Sequence, residues 1–506
     1  MSDKEFATST IDIEVASTWI RLKATRQGAI GNANIGTFVK ENLQEKDWQP
    51  RFHSYVVTAR YTYYDAVTGY AYLPRYTLNK LTSYLKNSPN TTVNIINIDP
   101  VKPKNIKMVT KKAFQPRDNQ IAIIDFLLDD TKTFKPLSAQ TGIGKTYCSI
   151  YAACKLGHPT LIVLGLLIDQ WYDSILKFTD IPADDIYVIK GFDTLECLWE
   201  GIKNGFRPKI LLCSTRTLAM YCVNPSMPYL GLPSYAELQS KLKIGVKIID
   251  ECHLNFNTNT MIDFQTNVKY NIYLSATYQR SNQQGKRIFD MYFPSYLKFG
   301  DQFTKKYTAV IMEYYHLHIP AKDIARFRLH KGYMHALYEN YLVEHVEYMS
   351  LFITEVIRPI IIKRFINVKK EGQHLLILVA TKQFAKEFKA YLDESNLNLE
   401  LAIFFSGDAG ELGNEENLQK EVIISTIKSC GTGRDIKGLK TCVNTVSFSS
   451  EPLTAQVMGR LRQIPGEDTY FIDLCNLDIS QHRMHANNRI CTYDLKALSF
   501  SEETLR

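Results

Sequence analysis

Two short stretches of this sequence carry residues whose types and spacing suit the handling of a nucleoside triphosphate. The first is Ala139-Gln140-Thr141-Gly142-Ile143-Gly144-Lys145-Thr146. Gly142 and Gly144 permit a tight turn whose backbone N–H groups can surround phosphate oxygens. Lys145 can reach the β- and γ-phosphates, and Thr146 can ligand Mg²⁺. The usual pattern opens on glycine, and Ala139 stands there instead. The second stretch, about a hundred residues on, is Val246-Lys247-Ile248-Ile249-Asp250-Glu251-Cys252-His253. Beside a phosphate loop, Asp250 would hold Mg²⁺, mostly through its water, and Glu251 would orient or deprotonate an attacking water.

Such residues must be delivered by strand ends. From about Ala113 to Pro294 the chain alternates apolar runs with helical stretches. The runs are Lys135–Ser138, Thr160–Gly165, Ile186–Ile189, Ile210–Cys213, Val246–Ile249 and Tyr270–Leu274. Near-continuous apolar strands between helices predict a parallel sheet covered on both faces. The phosphate loop then leaves one strand and opens the helix Tyr147–Leu156, and the two acids sit at another strand's carboxyl end, where such sheets bind ligands. The alternation returns from about Tyr307, with strands predicted at His374–Val379, Leu399–Phe405, Val422–Ser425, Thr441–Phe448 and Thr469–Ile472. A long helical stretch over Asp323–Val368 precedes them, and Gln481–Arg506 reads as a short appendage.

The first hundred residues are of another kind. Phe52–Leu85 alternates aromatic, β-branched and polar residues, predicting a hairpin turning near Asp65–Gly69 and a helix from about Thr77. A strand follows over Thr91–Asp99, and the lysine-rich run Val101–Lys107 reads as a linker. The expected division is thus an accessory domain (1–107), two α/β domains (108–300 and 301–480) and a C-terminal extension (481–506). The fold class is α/β, with two tandem parallel-sheet domains behind a small α+β domain.

Bulk properties exclude several classes. With 506 residues, 45% hydrophobic and 22% charged, the chain is globular and too long for one core. Its ten cysteines form no CxxC pair, which argues against a zinc site and against a disulfide scaffold and for a reducing cytosol. Met1-Ser2-Asp3-Lys4-Glu5 lacks the order of a signal peptide, and the apolar run Leu161–Ile168 is too short for a bilayer. A cytoplasmic, membrane-free protein is expected. A net charge of +8 suits a polyanionic partner without naming one.

With further segments, the two stretches resemble superfamily 2 helicases of the DExH type. Asp250-Glu251-Cys252-His253 matches the DExH box, and Ser275-Ala276-Thr277 the SAT motif, which couples nucleotide state to nucleic-acid grip. Arg117-Asp118-Asn119-Gln120 resembles the adenine-reading segment, with Gln120 as base contact and Arg117 as helper. Ser425-Thr426 and Gly431-Thr432-Gly433-Arg434-Asp435-Ile436 resemble motif V, and Gln456-Val457-Met458-Gly459-Arg460-Leu461-Arg462-Gln463 motif VI. The resemblance implies ATP and Mg²⁺ as cofactors, RecA-like domains, and nucleotide contacts from Gly433 and Asp435. It also implies catalytic roles for Gln456, Arg460 and Arg462, the arginines acting as fingers supplied across a cleft. The usual spacing is GRxxR; here the second arginine comes one residue early, so Arg460 is the safer finger. Leu161–Gly165 with Gln170-Trp171, Ser214-Thr215-Arg216 and Thr381-Lys382 resemble the backbone-contacting motifs. Thr215, Arg216, Thr381, Ser425 and Thr426 are therefore candidate phosphate contacts.

The aromatic N-terminal segment with Leu73-Pro74-Arg75-Tyr76 is similar to bacteriophage helicases of the UvsW type. That resemblance implies a substrate-binding domain before the motor, action on single-stranded, forked or branched DNA in recombination, repair or fork rescue, and a host bacterial cytoplasm. Partners would be DNA and replication or recombination proteins, with the chain a monomer. Basic candidates for substrate contact are Arg51, Arg60, Arg75 and Lys80, and Arg326, Arg328 and Lys331. RNA as substrate, a translocase that remodels complexes without unwinding, a catalytically silent binding protein and a nuclease-linked motor are the alternative readings.

Overall fold

The computed structural model describes residues 9–23, 35–49, 53–87, 91–139, 142–165, 167–223, 231–276, 278, 283–300, 306, 308–329, 332–406, 408, 410–431, 436–464 and 466–505. The chain divides into two compact units, residues 1–303 and 304–506.

The first unit begins with strands β1 (Ser9–Val15), β2 (Trp19–Lys23), β3 (Gln44–Gln49), β4 (Ser54–Arg60), β5 (Tyr63–Tyr64), β6 (Tyr70–Pro74) and β7 (Thr91–Asn97). Five of them form a sheet in the order β5-β6-β2-β1-β7. The turn at Asp65–Gly69 lies where the sequence places it, closed by bonds from Asp65 N to Tyr70 O and Gly69 N to Asp65 O. The strand before it behaves differently. It breaks at Tyr61, a residue whose ring is buried, and its first part, β4, pairs with β3 in a separate hairpin. The short β5 alone meets β6. Alternation identifies strands but not their partners.

This β-rich part is fixed to the rest of the first unit by side-chain to backbone bonds. Trp19 Nε1 donates to Thr266 O at 2.8 Å, Ser17 N to Asn267 Oδ1 at 3.0 Å, and Asn267 Nδ2 to the carbonyls of Ile98 and Asp99.

Strands β8 (Phe134–Ser138), β9 (Thr160–Leu164), β10 (Ile186–Ile189), β11 (Ile210–Ser214), β12 (Val246–Ile249) and β13 (Tyr270–Ser275) form an all-parallel sheet in the order β10-β11-β9-β12-β13-β8. Every residue of β8, β9, β12 and β13 is buried, as a sheet covered on both faces requires. Lys247 is buried within β12 and is neutralised by Asp263, which also accepts from Tyr273 at 2.7 Å. A charge inside a sheet persists only when paired in this way.

The second unit contains β14 (Thr308–Tyr315), the small hairpin β15 (Arg328–Leu329) and β16 (Gly332–Tyr333), then β17 (His374–Val379), β18 (Leu401–Ile403), β19 (Val422–Thr426), β20 (Leu439–Asn444), β21 (Thr469–Asn476) and β22 (Ser499–Thr504). Its sheet is parallel in the order β18-β19-β17-β20-β21-β14-β22. The segment Asp323–Val368 is not one helix. It holds the β15–β16 hairpin and then a helical run from His335 that is interrupted at His345. The last residues form the helix Ser480–Lys496 and β22, which pairs with β14 and so extends the sheet. Strand β14, absent from the sequence expectations, is an interior strand between β21 and β22. Two RecA-like parallel-sheet domains with a β-rich N-terminal part account for the described residues. Among them, no helix is long and apolar enough to cross a membrane.

Candidate nucleotide site

The loop after β8 turns on two glycines with positive φ, Gly142 at 89° and Gly144 at 99°. Gly144 caps the helix Lys145–Leu156, whose first-turn N–H groups lack intrahelical partners and face an anion's position. A Cβ on Gly144 would overlap Gln120 Nε2 and lie 3.3 Å from Arg117 Nη2, so glycine is required by contact as well as by φ. Gln140 and Thr141 lie outside the described residues.

Arg117 and Gln120 brace this turn. Arg117 Nη2 and Gln120 Nε2 donate to Ile143 O at 2.9 and 2.8 Å. Gln120 Oε1 accepts from Arg117 N at 3.0 Å, capping the helix Asp118–Leu128. The two residues singled out for the adenine therefore also hold the phosphate loop. Lys145 Nζ donates to Ala139 O at 2.7 Å, folding over the loop it belongs to.

Asp250 and Glu251 follow β12. Asp250 Oδ2 accepts from Trp171 Nε1 at 2.9 Å, and Oδ1 from Glu251 N at 3.0 Å. Desolvation, then the adjacent Glu251 carboxylate, pushes Asp250 up to about 6, opposed by Trp171 and by Lys145. Ala139 N donates to Ser275 O and Cys252 N to Leu274 O, so the two stretches are rooted on the same strand, β13. Glu251 adopts a left-handed φ of 46°, a strained conformation for a side chain of its size. Its Oε2 is buried, accepts no hydrogen bond among the described residues, and lies 3.4 Å from His253 Nδ1. His253 Nδ1 is also 2.8 Å from Ser275 Oγ. The two coupling candidates thus touch; Thr277 lies outside the described residues. The orienting bond from Trp171 is the feature the sequence did not disclose, since an indole eighty residues upstream carries no local signal.

Oxygen donors suit Mg²⁺. The Thr146 hydroxyl and the Asp250 carboxylate, with the phosphates themselves, form a donor set of that kind. Both side chains are half-buried, so neither is sealed off from an ion.

The backbone-contact candidates divide. Arg216 is exposed, whereas Thr215 is buried at the start of the helix Thr215–Val223. In the second unit Thr381 caps the helix Lys382–Glu394, accepting from Phe384 N at 3.2 Å. Its own N–H, and that of Ala380, bind the buried Glu339 carboxylate at 2.7 and 2.6 Å. Ser425 is fully buried and donates to Phe404 O at 2.6 Å, so its hydroxyl is turned into the core. Thr426 donates to Ser429 Oγ at 2.9 Å. Glu339 was not foreseen, although a lone acid between Tyr338 and Tyr341 is an unusual choice in an apolar helix.

Gln456 lies in the helix Glu451–Met458, which ends before both arginines. Arg460 is buried, with Nε 3.4 Å from Gln456 O, and Arg462 folds back to donate to Gly459 O. Gly433, Asp435, Arg51 and Lys331 lie outside the described residues.

Residues 113–280 match the family described as type III restriction enzyme, res subunit. The matched segment, about a third of the chain, is the one that holds the phosphate loop, Asp250 and Glu251. A putative helicase, 161L of Invertebrate iridescent virus 6, is 30% identical over 190 residues, covering 36% of this chain and 38% of that protein. The DNA repair helicase/translocase XPB-R of Trypanosoma brucei brucei is 32% identical over 83 residues, 16% of this chain and 11% of its own. The chain thus spans well under half the length of these curated relatives. Among solved structures, the DNA-bound type ISP restriction-modification enzyme LlaBIII matches with a TM-score of 0.52 at 12% identity, over 84% of this chain and 36% of that one. T4 UvsW matches over 98% and 99% of the two chains with a TM-score of 0.36 and 13% identity.

Proposed function

We propose that the protein is an ATP-driven DNA helicase or translocase acting on forked or branched DNA. The observation that carries the motor reading is that the root of the phosphate loop and the acids are both tied to β13, by Ala139 N to Ser275 O and Cys252 N to Leu274 O. In this reading the loop N–H groups and Lys145 bind the triphosphate, and Arg117 and Gln120 face the base. Thr146 and Asp250 hold Mg²⁺, which neutralises phosphate charge. Glu251, with one carboxylate oxygen uncommitted among the described residues, orients the attacking water. Arg460, with Gln456 beside it, stabilises the charge that develops on the phosphoryl group, and Gly433 and Asp435 contact the nucleotide by their motif. The His253–Ser275 contact relays the state of the nucleotide to the end of β13.

Arg216 and the Thr381 hydroxyl follow a strand's phosphates, which implies little sequence preference and strong salt dependence. The N-terminal part supports a role in substrate choice. Trp48 and Tyr55 pair edge-to-face across the β3–β4 hairpin, with ring centroids 5.3 Å apart, and both are exposed, as aromatic platforms for unpaired bases are.

The test is ATPase activity against single-stranded DNA, forked DNA, a four-way junction and matched RNA, with strand displacement and triplex displacement run alongside. Stimulation greatest with fork or junction DNA is expected. Equal stimulation by linear single strands removes the branched-DNA reading, stimulation by RNA alone removes DNA, and no stimulation by any nucleic acid removes the motor. Triplex displacement without strand displacement makes the protein a translocase that does not unwind.

A further inference from the structure

Beyond the nucleotide site, the second unit brings together three side chains with no role in nucleotide or nucleic-acid handling. β14 runs on into His316-Leu317-His318-Ile319. Leu317 and Ile319 are buried, and both histidines are exposed. β21 is the parallel neighbour of β14, with Tyr315 opposite Asn476, so Asp478 emerges beside the same segment. One donor atom from each of His316, His318 and Asp478 lies within 4.8 Å of the others.

The arrangement is built rather than incidental. Asp478 Oδ2 is committed to two backbone donors, Leu317 N at 2.8 Å and Ile319 N at 3.3 Å. Its Oδ1 is thereby aimed at the histidines and lies 2.7 Å from His316 Nδ1. The imidazole rings stack nearly parallel, 7° apart with centroids at 5.6 Å. His318 takes a left-handed φ of 59°, a conformation that costs a non-glycine residue about 1–2 kcal/mol. Two imidazole nitrogens and a carboxylate oxygen are a donor set for a first-row transition dication. Backbone bonds to the outer carboxylate oxygen are the usual way of orienting such a ligand.

We infer that His316, His318 and Asp478 form a site for a zinc-class dication, with three protein ligands and the remaining position open to solvent. Bond lengths of about 2.0–2.2 Å require the donor atoms to draw together by small rotations of the exposed imidazoles. The ion would replace the hydrogen bond now made between His316 and Asp478. It would tie the carboxyl ends of β14 and β21 together, where α/β sheets hold ligands.

The test is titration of the full chain with Co²⁺, followed by its visible d–d bands, then displacement with Zn²⁺. Cys197 and Cys491, the exposed thiols, are replaced by serine in every sample. One equivalent without thiolate charge-transfer bands is expected. His318→Asn removes an imidazole while keeping a residue that tolerates positive φ. It and His316→Gln should each weaken binding about a hundredfold or more, given that second-shell changes alone cost 10–100-fold. The His316 and His318 variants should also lose the Zn²⁺-dependent rise in Tm. Tm without metal, measured beside each titration, confirms that the variants are folded. Unchanged affinity in both folded variants, or no bound equivalent in the parent, overturns the site.

Discussion

Gly144 and Gln120 offer a double-mutant cycle whose outcome follows from geometry. Gly144→Ala must hold φ near 99°, which costs an L-residue about 1–2 kcal/mol. Its Cβ must also displace the Gln120 amide. That forfeits two hydrogen bonds, to Ile143 O and from Arg117 N, worth about 1 kcal/mol each. The single substitution should therefore cost about 3–4 kcal/mol. Gln120→Ala costs about 2 kcal/mol for the same two bonds. In the double variant the overlap is gone and those bonds are already lost, so only the backbone cost is added. The coupling is about 2 kcal/mol, or about thirtyfold in an equilibrium constant. It should be read in the affinity for a fluorescent ADP analogue, because a loop free to relax when empty must rebuild the turn in order to bind. Melting curves run in parallel establish that both units remain folded. Strictly additive losses, or wild-type affinity in Gly144→Ala, would refute the argument that Gln120 braces the phosphate loop.

Three further outcomes are expected. Lys145→Ala and Glu251→Gln should each abolish nucleic-acid-stimulated ATP hydrolysis while only the second retains nucleotide binding; stimulated turnover in either variant removes the site assignment. Arg460→Ala should lose turnover, whereas Arg462→Ala, whose guanidinium is folded onto Gly459 O, should retain most of it; equal loss in both makes Arg462 a second finger. Desolvation raises the Glu339 carboxyl from 4.5 to about 7 against the pull of the Ala380 and Thr381 amides. The stability this group contributes is therefore present in full below about pH 4.5 and lost as pH rises through about 7, by about 3 kcal/mol at most. Denaturant unfolding across that range should show the fall in wild type and not in Glu339→Gln, and a parallel fall in both sinks it.

The sequence disclosed what is local. The six strands of the first parallel sheet were readable because each is a short apolar run ended by turn residues, and because motif residues fall at their carboxyl ends. The placement of Lys145, Asp250, Glu251 and His253 beside strand ends was readable for the same reason: it depends on neighbours in the chain. What was missed depends on distant partners. β4 has the composition of a partner for β6, yet the buried Tyr61 breaks the strand and β3 takes it. β14 and β22 were not foreseen because the flanking pattern held no motif. Their pairing with each other spans nearly the whole second unit. Trp171 and Glu339 act on residues 79 and 41 positions away, by a single hydrogen bond or a pair of them, which no periodicity encodes.

The arrangement of strand ends bears on how hydrolysis would reach nucleic acid. β9, β12, β13 and β8 are adjacent in the sheet, and the candidate residues stand at their carboxyl ends. Asp250 N donates to Val163 O, Cys252 N to Leu274 O, and Ala139 N to Ser275 O. The acids, the His253–Ser275 contact and the root of the phosphate loop are therefore joined by backbone bonds between neighbouring strands. Ser275 stands at the centre: its carbonyl holds the loop root and its hydroxyl meets His253, which in turn faces Glu251. A change in the charge carried by Glu251's surroundings would alter the His253 bond and so the end of β13 without moving the sheet. Ser275→Ala should accordingly leave nucleotide affinity close to wild type, because the backbone bond to Ala139 persists. It should lower the stimulation of ATPase by nucleic acid more than the basal rate. Equal loss of both rates would place Ser275 in the chemistry and not in the relay.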